Sequence, residues 1–166
     1  MEKRAKKRAP LKSPVIKNIL SALAVAFFGF ILLNLAFLFD YLFQSAIRLL
    51  IRIFTPADLY MKFTWFPPAM HFLFVIVIGL ISWLVFRSKL RVLFKAIYMT
   101  VPLAVVFVTL GMFLYPWPLI ALFLGGLFAI GILYYFYLTK QPWLYYYTVI
   151  LVGLTLAIFS LLGGEI

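Results

Sequence analysis

From residue 16 onward the chain is a succession of long apolar runs separated by short polar or proline-bearing breaks. The first run, 16–39, is 24 residues long and is interrupted after Lys17 only by Asn18, Ser21 and Asn34. Four more follow at about 68–86, 92–114, 119–138 and 143–162. Each is close to the ~20 residues that a helix needs to cross ~30 Å of hydrocarbon. The breaks carry stop and start signals. Ser13-Pro14 reads as N-cap and first helical residue; Arg87-Ser88-Lys89-Leu90-Arg91, Tyr115-Pro116-Trp117-Pro118 and Thr139-Lys140-Gln141-Pro142 read as connections. Pro102, with Thr100 two positions earlier, predicts a kink within the third span, its freed carbonyl satisfied by a neighbouring helix or a threonine hydroxyl. The fold class expected is all-α: one polytopic transmembrane helical bundle of about five spans occupying 1–166, without a separate soluble module.

Segment 40–67 departs from this pattern. Read as a helix, 41–54 gathers Tyr41, Gln44, Ser45, Arg48 and Arg52 into one polar stripe about 100° wide, and the remainder is Leu, Ile, Phe or Ala. So narrow a wet face suits an amphipathic helix lying in the membrane interface, its arginines extended to the headgroups over buried stems. Thr55-Pro56-Ala57-Asp58 is a helix-start signature, so a second short helix is expected from Pro56.

Composition agrees with the pattern. With 67% apolar, 20% aromatic and 11% charged residues the chain cannot be an ordinary soluble domain, in which roughly a quarter of residues are charged. The basic start followed by an apolar run could suggest a cleaved signal peptide, but 24 residues far exceed a signal h-region of about 7–15. With no cysteine there is no disulfide, thiolate metal site or cysteine nucleophile.

The net charge of +11 would point to nucleic acid in a soluble protein, but here the cations flank apolar runs. Orientation and anionic lipid explain them without a nucleic-acid partner. Twelve of the fifteen Lys and Arg fall in the tail, the second connection and the fourth; only Arg48, Arg52 and Lys62 fall on the other side. The positive-inside rule then predicts a basic cytoplasmic tail (1–15), an external segment 40–67 and an external C-terminus, in the plasma membrane of a prokaryote. Tyr and Trp cluster near the expected span ends, as interfacial anchors do. Ala121, Gly125 and Ala129 in the fourth span, and Gly153 and Ala157 in the fifth, recur at spacings of four, a pattern that lets helices approach closely. The last two spans, joined by a tight hairpin, are expected to use these faces against each other, with an oligomer or partner interface as the alternative.

The polar inventory is thin. No Asp, Glu, Lys or Arg falls in the middle of an expected span, which argues against coupled transport. There is no phosphate-cradling glycine loop, no histidine pair for a metal and no Ser-His-Asp set, since the chain has a single histidine. No cofactor or metal is expected. The external group Asp40, Arg48, Arg52, Asp58, Lys62 and His71 supports three readings. The arginines snorkel and the acids pair with them locally; or Arg48 and Arg52 grip a lipid headgroup phosphate or carboxylate, with Lys62 as a further cation; or His71 and one of the two aspartates form an acid/base pair.

Lys62-Phe63-Thr64-Trp65-Phe66-Pro67-Pro68 resembles the Lys-Pro-x-Trp-x-Pro-Pro region of the tryptophan-rich sensory/translocator proteins, a family that binds porphyrins and sterols. The resemblance covers seven residues, has Phe63 where that family has proline, lacks its Asn-Trp motif in the third span, and is not adopted. The function expected is a non-catalytic accessory or scaffold subunit packed against another integral membrane protein or a second copy. The alternative is a lipid- or small apolar ligand-binding protein or carrier.

Overall fold

The computed structural model describes residues 14–54 and 66–162. Within them the chain is entirely helical: α1 (Pro14–Phe54), α2 (Phe66–Arg87), α3 (Val92–Phe113), α4 (Pro118–Leu138) and α5 (Trp143–Leu161). All five helices are long and apolar enough to cross a membrane. The basic tail, Asp58, Lys62, Trp65 and the helix start expected at Pro56 lie outside the described residues.

α3 is the hub, packing against α1, α2, α4 and α5. Its buried residues Ala96, Met99, Thr100, Val101, Leu103, Ala104 and Val105 occupy about two thirds of its circumference over three turns. On one side they meet Val25 of α1 and Leu144, Tyr145, Val149 and Val152 of α5; on the other, Phe74 and Ile78 of α2. Between lipid-facing helices there is no water to exclude, so close packing and interhelical hydrogen bonds must hold the bundle. They are visible here. Thr100 donates weakly to the Gly29 carbonyl (3.3 Å), Thr148 to Ala96 (3.3 Å), and Ser82 pairs with the Tyr98 hydroxyl (3.1 Å). The Thr100 hydroxyl donates at 2.7 Å to Ile97, and not to the Tyr98 carbonyl that Pro102 leaves without its amide partner.

The helix ends are locally specified. Lys95 reaches across the first hairpin to the Phe86 carbonyl (2.7 Å), closing one of the carbonyls that the end of α2 leaves open. α4 ends in a Schellman turn: Gln141 N–H donates to Phe136, Lys140 N–H to Tyr137, and Lys140 takes a left-handed φ of 51° where glycine is usual.

α1 differs from the expectation. A break at Asp40 followed by a separate helix was expected; the structure instead has one uninterrupted helix of 41 residues. No proline after Pro14 at its start, and no glycine after Gly29, lies in it to break it. Asp40, which could have capped a new helix, spends its carboxylate on Gln44 one turn ahead. At 1.5 Å per residue the helix is about 60 Å long, twice a hydrocarbon layer. Gly29 lies level with Thr100, and Asp40 and Thr109 meet the same histidine, so α1 and α3 run parallel. In that register residues 44–54 continue roughly 16 Å past the end of α3.

Candidate functional site

Two features occupy the half of the bundle where α2 begins and α3 ends. The first is a chain of polar side chains built on α1. Positions 40, 44 and 48 are one turn apart and share a face. Arg48 Nη2 donates to Gln44 Oε1 (3.1 Å), and Gln44 Nε2 donates to both oxygens of Asp40 (3.1 and 3.0 Å). The chain then crosses to α2, where His71 Nδ1 lies 3.9 Å from Asp40 Oδ2. His71 Nε2 in turn lies 2.9 Å from Thr109 Oγ1 on α3, and that hydroxyl donates to the Val105 carbonyl at 2.6 Å. His71 is buried at 6% exposure and the Asp40 side chain retains 16%. Phe74 packs beside the histidine ring, and Phe39 and Phe43 close over Phe74.

His71 Nε2 and Thr109 Oγ1 share a hydrogen bond in which the tautomer of the ring decides which of the two donates. Both ring nitrogens are turned to protein groups inside a buried site.

Of the residues singled out in the sequence, the structure brings Asp40, His71 and Arg48 into one network. Asp40 lies inside α1 and beside α2, because α1 does not break. Arg52 is exposed in the last turn of α1, one turn beyond Arg48. Asp58 and Lys62 lie outside the described residues. Thr109 was missed: a lone hydroxyl in an apolar helix carries no sequence signal that separates it from Thr155, which bonds back to its own helix.

The second feature is a cleft of about 740 Å³ among α3, α4 and α5. Ala121, Gly125 and Ala129 of α4 and Gly153 and Ala157 of α5 line it, with Phe107 of α3 between them. A side-chain carbon added at Gly125 would touch the Phe107 ring at 3.4 Å, one at Gly153 the same ring at 3.9 Å, and one at Gly126 nothing within 4 Å. The small residues thus face the Phe107 ring and an open space. Among the described residues no charged side chain lines the cleft; Ser160 and Tyr115, near the ends of α5 and α3, supply hydroxyls. No protein-family model, curated protein or solved structure matches the chain.

Proposed function

We propose that this is a multi-pass membrane protein that holds a lipid or another small apolar molecule in the cleft among α3, α4 and α5. The observation that carries the reading is the cleft itself. Its volume of about 740 Å³ lies within the ~300–1,000 Å³ typical of ligand sites, and the described residues of its wall are mostly apolar and carry no charge. Glycines and alanines keep it open, since side chains of ordinary size at 125, 126, 153 and 157 would occupy the space. The site needs no cofactor and performs no chemistry on its ligand. By the distribution of Lys and Arg, the tail and the 88–91 connection lie on the cytoplasmic side of a prokaryotic plasma membrane, and the cleft opens in the outer half of the bilayer. In that frame residues 44–54 of α1 leave the hydrocarbon and serve as the amphipathic interfacial element, with Arg48 and Arg52 toward headgroups.

Native mass spectrometry of gently solubilised protein tests the reading. The parent should retain a lipid-like mass, and the pair Gly126→Phe/Ala157→Phe, which fills the cleft from both walls, should lose it while melting like the parent. Unchanged retention in that variant would overturn the cleft. Loss in Arg48→Lys/Arg52→Lys alone would move the ligand to the α1 stripe, because that change keeps charge but removes the planar donor fork.

One observation favours a second reading, an accessory or scaffold subunit. α1 outruns α3 by about three turns, and on them Leu49, Leu50 and Ile53 are exposed. A subunit of this kind co-purifies with its partner and is poorly stable without it, whereas the ligand-binding protein is stable alone.

A further inference from the structure

We infer that a second groove, on the half of the bundle where α3 begins and α4 ends, binds an anionic phospholipid, with the phosphate at Lys95 and one acyl chain laid along α3 and α4. The inference is independent of what fills the cleft among α3, α4 and α5. The groove has a volume of about 510 Å³, and its two ends differ in chemistry. Its polar lining, Lys95, Tyr135 and Gln141, belongs to the end where α3 begins and α4 stops. Its apolar lining continues to Leu103 and Val106 on α3 and to Ile132 and Phe128 on α4, spaced along one face of each helix. The rise from Lys95 to Val106 is about 16 Å, close to half of a hydrocarbon layer of ~30 Å. The groove thus has the depth of one leaflet, with a cation where the headgroups of that leaflet lie.

Charge selects the head of the ligand. Lys95 is partly buried, and its Nζ donates to the Phe86 carbonyl at 2.7 Å. An ammonium carries three hydrogens, so this bond holds it at the mouth of the groove and leaves donors for an anion. The same end of the bundle carries Arg87, Lys89, Arg91 and Lys140, with Arg87 5.0 Å over the Trp83 ring. Asp40, the one acid among the described residues, is at the far end. A zwitterionic headgroup would bring its own cation into this positive field, whereas an anionic one complements it. The cleft among α3, α4 and α5 makes no such selection, since no charged side chain among the described residues lines it. Phe128, at the deep end of the groove, meets Phe107 of that cleft edge-on with ring centres 5.8 Å apart. Tyr135 at the rim is exposed, so a lipid can enter from its own leaflet.

Full-length protein in mild detergent is offered equal amounts of phosphatidylglycerol and phosphatidylcholine with matched acyl chains, and native mass spectrometry compares the lipid adducts. The parent should hold phosphatidylglycerol in preference. Lys95→Gln, which keeps a donor for the Phe86 carbonyl, should lower that preference about fivefold, the worth of one cation beside an anionic lipid. Lys95→Arg should keep it. Val106→Phe/Ile132→Phe fills the apolar part of the groove and should lose phosphatidylglycerol although Lys95 remains. Gly126→Phe/Ala157→Phe, which fills the other cleft, should lose one bound lipid and keep the phosphatidylglycerol preference of the other, so the two sites fail separately. Inorganic phosphate should not displace the lipid, because the acyl chain carries part of the binding; displacement would reduce the site to an anion site and overturn the proposal. No preference in the parent, or one that survives unchanged in Lys95→Gln, would overturn it too. Where Lys95→Gln melts below the parent, the groove-filling pair decides, and phosphatidylglycerol retained there as in the parent overturns the site.

Discussion

Gly29→Ala tests the contact on which the bundle is centred. A methyl group at position 29 would lie 2.6 Å from Thr100 Cγ2, 3.2 Å from its Oγ1 and 3.4 Å from its Cβ. Carbon atoms in good contact sit ~3.5–4.0 Å apart, so the overlap is about 1 Å. Thr100 cannot easily turn away. It is β-branched within a helix, and its hydroxyl is held by the Ile97 carbonyl at 2.7 Å. α1 and α3 must therefore separate, opening the seam in which Val25 and Ala96 are fully buried. A gap of 0.5–1 Å forfeits about a quarter to a half of each dispersion contact along that seam, and overpacking of this kind costs about 1–3 kcal/mol. The assay is reversible unfolding by SDS in mixed micelles. Thr100→Ser removes the clashing Cγ2 but keeps the hydroxyl, so it should cost little alone and recover most of the loss when combined with Gly29→Ala. A Gly29→Ala protein within about 0.5 kcal/mol of the parent, a difference typical of an uncoupled surface change, or a clash that Thr100→Ser does not relieve, would refute the reasoning.

Two further outcomes follow from the same geometry. Thr109→Val leaves His71 Nε2 buried without its hydrogen-bond partner and should cost about 1–3 kcal/mol, whereas Thr109→Ser should be nearly silent; unfolding of the two variants side by side separates the hydrogen bond from packing. Lys140→Gly should stabilise by up to about 1 kcal/mol, because a left-handed residue with a side chain is strained where glycine is not, and a measured loss would count against the Schellman turn that ends α4.

The five helices were legible because the apolar runs stop at charged or proline-bearing connections. The ends of α2 to α5 therefore lie within two residues of the expected ones. α1 was misread for the same reason in reverse. Asp40 looked like the end of a run, but an acid does not break a helix when a glutamine one turn on donates to its carboxylate and a histidine on the next helix faces it. Periodicity places Gln44 and Arg48 on one stripe. It says nothing about which side chain 31 positions later that stripe will meet. The glycines and alanines of α4 and α5 were readable as a face that permits close approach, but whether such a face meets a helix, the Phe107 ring or open space is decided in three dimensions. Gly29 carried a weaker mark still, as one glycine in a long apolar run.

The central position of α3 has a consequence for how the protein is made. Asp40 is synthesised 69 positions before Thr109 and 31 before His71. At ~5–20 residues per second, roughly 3–14 s pass between the appearance of the carboxylate and that of the hydroxyl which completes its network. During that interval α1 has no α3 to dock on: Val25 meets Ala96, and Leu32 and Ala36 the Val101 and Val105 part of their cluster, only when residues 96–105 arrive. Until then the first helix, an acid already within it, has α2 alone to pack against.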